Sequence, residues 1–203
     1  MPASPVRALV PFLAIGFVAI GLAVACPAGA QTASAAPSDA TGPVPRDGRH
    51  DFDWMVGSWK ADLKRLVKPL TGSTTWVEYA GTQTTTNILG GKAVMDEFIV
   101  DSPATKSKIE ALTIRLYNPA NQTWSIYWAT AANGAFSLPP TVGRWKDGRG
   151  EFYDHEEWNG RWILVRYVWS DVTPTSAHFE QAFSEDGGKT WEVNWISNIT
   201  RTT

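Results

Sequence analysis

EFYDHEEWNGRWILVRYVW, residues 151–169, decides how the chain is read. Asn159-Gly160 stands between two runs rich in aromatic and β-branched residues. That dipeptide fills the two-residue turn of a β-hairpin, because both central positions need positive φ. A two-residue loop fixes the register and sets Trp158 opposite Arg161, Tyr153 opposite Arg166 and Phe152 opposite Tyr167. In the second run Ile163, Val165, Tyr167 and Trp169 share one face. Arg166 lies on the other face with Trp162, Leu164 and Val168, so alternation alone does not assign the inward side.

The same texture extends in both directions. Strand-like runs occupy residues 59–67, 74–79, 84–89, 93–100, 109–117, 123–129, 141–145, 177–183 and 190–199. Turn-forming stretches separate them: LTGS, LGGK, YNPANQ, KDGRG and SDVTPTS. The last turn, SEDGGKTW at 184–191, resembles the Asp-box of sialidase propeller blades. A propeller needs several four-stranded blades and matching repeats, and this chain has one copy. The box therefore reads as a hairpin corner, with Asp186 accepting backbone hydrogen bonds, Gly187 and Gly188 taking positive φ, and Trp191 returning to the apolar face. Helical period is confined to one turn at DFDWMVG, residues 51–57, where Asp51 is placed to cap. About ten consecutive strands with short connections predict an antiparallel up-and-down meander that closes to remove its edges. The expected fold is an all-β, lipocalin-like barrel; the alternative is a two-sheet sandwich.

DFDWMVGSW looks like the opening of calycin barrels, where a short helix plugs one end and the tryptophan packs beneath it. FDWMVGSW, LGGKAVMDEF, IRLYNP, WSIYWA, GRGEFY, EQAFSEDGGKTWEVNW and the final ITR together resemble a bacterial family, domain of unknown function 1579, over residues 50–201. The resemblance implies a lipocalin-like barrel and no established activity. In the related nitrobindins a histidine near the C-terminus binds haem. Here the histidines are His50, His155 and His178, and NWISNITRTT contains none, so no cofactor is expected.

The N-terminus reads as an address. Arg7, an apolar run over residues 8–25 and Ala28-Gly29-Ala30 form a signal peptide over residues 1–30, with the mature chain starting at Gln31. The competing readings are a membrane helix and a lipid anchor at Cys26, which follows a lipobox lacking its usual leucine. Residues 31–49, rich in Ala, Ser, Pro and Gly, read as a disordered leader, leaving residues 50–203 as one domain. An exported protein without cysteine after cleavage has neither disulfides nor thiol catalysis, and its stability rests on its core. A net charge of −2 with scattered Lys and Arg argues against a nucleic-acid or anionic-membrane partner.

All eleven tryptophans lie in the barrel region, where they line a lumen or make a core. Glu97, Arg115, Arg166 and Glu180 each interrupt an apolar run, where an unpaired buried charge is costly. Paired in the lumen, with Tyr127 and Tyr153 as neutral hydrogen-bonding neighbours, they present a polar spot to a ligand; on the outer face they are merely solvated. The expectation is an exported barrel that binds a small apolar or amphipathic molecule. The alternatives are an enzyme using Glu97, Glu180 and an arginine, and a structural barrel filled by its own side chains. No catalytic residue or metal site is nominated. In the DHEE stretch, 154–157, beside the Asn-Gly turn, only His155 and Glu157 share a face, so it reads as a solvated hairpin tip rather than an acid–base or metal site, and Asp96 and Glu97 point to opposite faces. Nucleophile-elbow, Walker, zincin and dinucleotide motifs are absent from the sequence.

Overall fold

The computed structural model describes residues 46–202. The signal peptide expected over residues 1–30, and residues 31–45 of the expected leader, lie outside the described residues. Ten antiparallel strands follow in order: β1 Gly57–Leu66, β2 Trp76–Ile88, β3 Ala93–Ser102, β4 Ser107–Asn118, β5 Thr123–Thr130, β6 Thr141–Lys146, β7 Arg149–Trp158, β8 Arg161–Ser170, β9 Ser176–Ser184 and β10 Glu192–Arg201. Each pairs with its sequence neighbours, and β1 pairs with β10 to close the barrel. The fold is thus the all-β, lipocalin-like architecture expected, with no sheet edge left open among these strands.

The β7–β8 hairpin takes the register that its turn dictates: Trp158 pairs with Arg161, Tyr153 with Arg166 and Phe152 with Tyr167. Both turn residues have positive φ, 51° at Asn159 and 78° at Gly160. The runs at 74–79 and 84–89 prove to be one strand, β2. Gly81, in the interval between those two runs, sits where β2 and β3 come together so closely that a Cβ would overlap the Ile99 carbonyl. It marks a close backbone approach inside a continuous strand.

A 3₁₀ turn, Asp53–Met55, precedes β1 and plugs one end. Asp51 does not cap it, since the position before its first residue is Phe52 and makes no side-chain cap; the Asp51 carboxylate instead pairs with Arg46. Fully buried Phe52 packs edge-on to Trp124 at 5.0 Å and Trp145 at 5.4 Å. Trp54 meets Trp59 at 5.9 Å and Trp169 at 5.6 Å. The Trp59 indole donates to the Met55 carbonyl at 2.6 Å. Arg201, at the end of β10, donates to the carbonyls of Val56 (2.8 Å), Trp54 (2.6 Å) and Pro174 (2.8 Å), with its guanidinium 4.1 Å from the Trp59 ring. The last strand therefore fastens the plug, and the closed end is a packed aromatic core.

Candidate functional site

Above the plug the barrel is not filled. A cavity of about 230 Å³ runs through its middle. Loop residues Pro69, Ser137 and Pro139 border it at the far end, beyond the end of β1 and before the start of β6. Its walls follow strand parity, since successive side chains alternate between lumen and exterior.

Of the six residues nominated from sequence, the structure brings one, Arg115, to the lumen. Arg115 is 3% exposed and pairs with Asp96, at 2% the acid beside Glu97 and of opposite parity. The guanidinium carbon also sits 5.1 Å from the Phe52 ring, so the pair marks the junction between plug and cavity. The four charges do not gather as expected, because five of the six residues fall on the outward parity of their strands. Glu97 is exposed and borders an outer groove with Met95 and Phe136. Tyr127 packs against Phe136 at 6.2 Å. Tyr153 and Arg166 meet each other's neighbours on the outside: Tyr153, 41% exposed, donates to Glu151 at 2.8 Å, and Arg166 lies 4.5 Å over Trp191. Glu180 pairs with His178 at 3.3 Å.

The carboxylates that do reach the lumen are Asp154 and Glu156, on β7. They share the parity of Phe152 and Trp158, and they lie opposite Val165 and Ile163 of β8. Burial, reinforced by the charge of Glu156 and opposed by the Thr141 hydroxyl, pushes the Asp154 carboxyl up to about 7. Burial also raises Glu156. Neither carboxylate has a salt-bridge partner among the described residues. Burial, with both negative charges adding, likewise raises the Tyr167 hydroxyl.

Asn194 stands at a β-bulge between Val193 and Trp195 that breaks the β9–β10 register. Its Oδ1 accepts from Gln181 at 2.7 Å, which leaves Nδ2 with no partner. Arg115 Nε, Asp154 Oδ1, Trp158 Nε1 and Ser197 Oγ are likewise buried on the cavity wall without a protein partner. A buried polar atom left unsatisfied costs on the order of 1–3 kcal/mol, and these five, spread over β4, β7 and β10, leave polar groups around the lumen wall that the protein itself does not satisfy. Phe98, Trp128, Phe179 and Trp195 supply the apolar part of that wall.

Sequence reasoning missed Asp154, Glu156 and Asn194. The first two were readable, since the turn register places them on the Ile163 and Val165 face. Asn194 had no comparable signal, because a bulge shifts parity without changing composition.

The fold has relatives among solved structures. The S-type phycobiliprotein lyase CPES of Guillardia theta matches with a TM-score of 0.54 at 12% identity, covering 78% of this chain and 94% of that one. Rv2717c of M. tuberculosis matches with a TM-score of 0.52 at 10% identity, covering 78% and 99%. Likeness at these identities is likeness of fold. No family model and no curated protein matches the chain.

Proposed function

We propose that this chain is an exported binding barrel whose lumen holds one small amphipathic molecule, and that it belongs with the family its motifs resemble, domain of unknown function 1579. The observation that carries the binding reading is the cavity of about 230 Å³, walled by aromatic rings and by buried polar atoms that lack protein partners. A cavity of about 150 Å³ holds benzene, and drug-sized ligands need roughly 300 Å³ or more. The size therefore suits a one- or two-ring molecule. Barrels of comparable strand number commonly hold a single small ligand.

Export rests on the N-terminal sequence pattern, and the barrel needs no cysteine to be stable outside the cytoplasm. The filled-barrel alternative loses ground to the cavity. An acid–base enzyme built on Glu97 and Glu180 loses its geometry, since both residues lie on the outer face.

The binding reading is tested by thermal unfolding with 2-naphthylmethanol, on the mature protein and on Ser197→Phe, which fills the lumen from β10. Ligand that binds only the folded state raises Tm, by about 2.7 kcal/mol of stabilisation at a hundredfold excess over Kd. The expected result is a concentration-dependent rise in the wild type and none in a Ser197→Phe protein with unchanged circular dichroism. An equal rise in both proteins places the compound elsewhere and contradicts the reading.

A further inference from the structure

We infer that the ligand is an organic cation: a small apolar body carrying an ammonium group that seats on Asp154 and Glu156. The inference rests on the binding reading above and names the chemical class that the lumen selects.

Five charged side chains border the cavity: Arg65 and Arg115 against Asp96, Asp154 and Glu156. Arg115 is already engaged by Asp96. Arg65 comes from β1 and lies 5.8 Å from the Trp195 ring. The elements packed against β7 bring no base to its two inward carboxylates: β8 offers Ile163, Val165 and Tyr167, β6 offers Thr141, and the loop before β6 offers Ser137 and Pro139. Two carboxylates are thus held on an arc that carries no base, without an ion-pair partner among the described residues.

Aromatic rings complete the seat. Trp158 follows Glu156 on the same face of β7 and packs against Phe183 at 5.1 Å, and Tyr167 lines the adjacent wall. Carboxylates among aromatic rings favour an organic cation over an anion, since the carboxylate charge attracts positive charge and a ring face turned to the ligand adds to that attraction. An anionic head group meets the opposite field. The far wall gives the ligand its other end. Asn194 is 2% exposed and Ser197 4% exposed; both line the cavity, and each carries a buried polar atom without a protein partner. Nδ2 of Asn194 can only donate, so it matches a hydrogen-bond acceptor on the ligand.

The test is isothermal titration of the mature protein with three probes of one shape, 2-naphthylmethylamine, 2-naphthylmethanol and 2-naphthoate, at pH 8. The expected order is amine, alcohol, carboxylate, with the amine at least about tenfold tighter than the alcohol. In Asp154→Asn/Glu156→Gln the ratio of amine to alcohol affinity falls to near one. In the wild type the same ratio shrinks as pH falls below about 7, where Asp154 takes up its proton. This pH series tests the inference even if the double variant does not fold. Equal affinity of amine and alcohol, or an amine preference that survives the double substitution, overturns the cation assignment while leaving the binding reading intact. Failure of all three probes to bind removes both.

Discussion

Asp154 shows most clearly how one residue joins stability to the proposed binding role. Its carboxyl is ordinary in the unfolded chain, near 3.8, and raised to about 7 in the barrel. Between those values the unfolded chain has lost a proton that the folded one keeps, so stability falls as pH rises through that window and is flat above it. Asp154→Asn removes this penalty. After discounting for solvent screening we expect it to stabilise the barrel by roughly 1–3 kcal/mol at pH 8, with little gain at pH 4. Urea unfolding at the two pH values checks this, and a gain of equal size at both contradicts the assigned cause. Arg201 lies at the opposite extreme, purely structural. It holds three backbone carbonyls of the plug and the loop before β9, and Arg201→Ala should cost roughly 2–4 kcal/mol, read from the midpoint of denaturant unfolding. Arg115 was legible from sequence as a charge inside an apolar run. Its partner was not, because Asp96 and Glu97 are adjacent and either parity satisfied the pattern of β3. The turn register, combined with the apolar Ile163 and Val165 face, did contain the position of Asp154, and reading the two together finds it.

At the scale of elements, turns were the most readable features. Asn159-Gly160 set a whole hairpin, and the SEDGGKTW stretch folds as a corner. The Asp186 carboxylate accepts from the Thr190 amide at 2.9 Å, the Thr190 hydroxyl at 2.7 Å and the Ser184 hydroxyl at 2.8 Å. Trp191 returns its indole to the Gly188 carbonyl at 3.0 Å. These bonds, those from Thr190 foremost, hold the Asp186 carboxyl down to about 2. A depressed carboxylate contributes stability that is present above its unfolded value, near 3.8, and is lost as pH falls through about 2. Asp186→Asn therefore lowers Tm at pH 7, and its difference from the wild type closes as the solution is acidified toward pH 2. A difference that persists there contradicts the hydrogen-bonding account. Strand ends and breaks were less readable. Gly81 and the bulge at Asn194 show why: a glycine inside a strand and an extra residue both depend on how closely a neighbouring strand approaches, which is a tertiary fact.

Over the whole molecule, sequence alternation and short turns sufficed for a closed antiparallel barrel, because edges must be removed and ten strands can do so by closing. They did not suffice for the division between packed end and open lumen. That division depends on how large side chains share the interior: Phe52, Trp54, Trp59, Trp124 and Trp145 fill the plug end, and Phe98, Trp128, Trp158, Phe179 and Trp195 line a wall around space. The central claim, that an exported barrel carries a small molecule in this space, is tested most directly by native mass spectrometry of the protein purified from its own envelope fraction, before and after denaturation. The account predicts a polypeptide mass beginning at Gln31 and a discrete non-covalent mass, of a size suited to one or two rings, that is lost on denaturation. A polypeptide that retains residues 1–30, together with a lumen that neither retains a molecule nor takes one up from an extract of the same fraction, contradicts it.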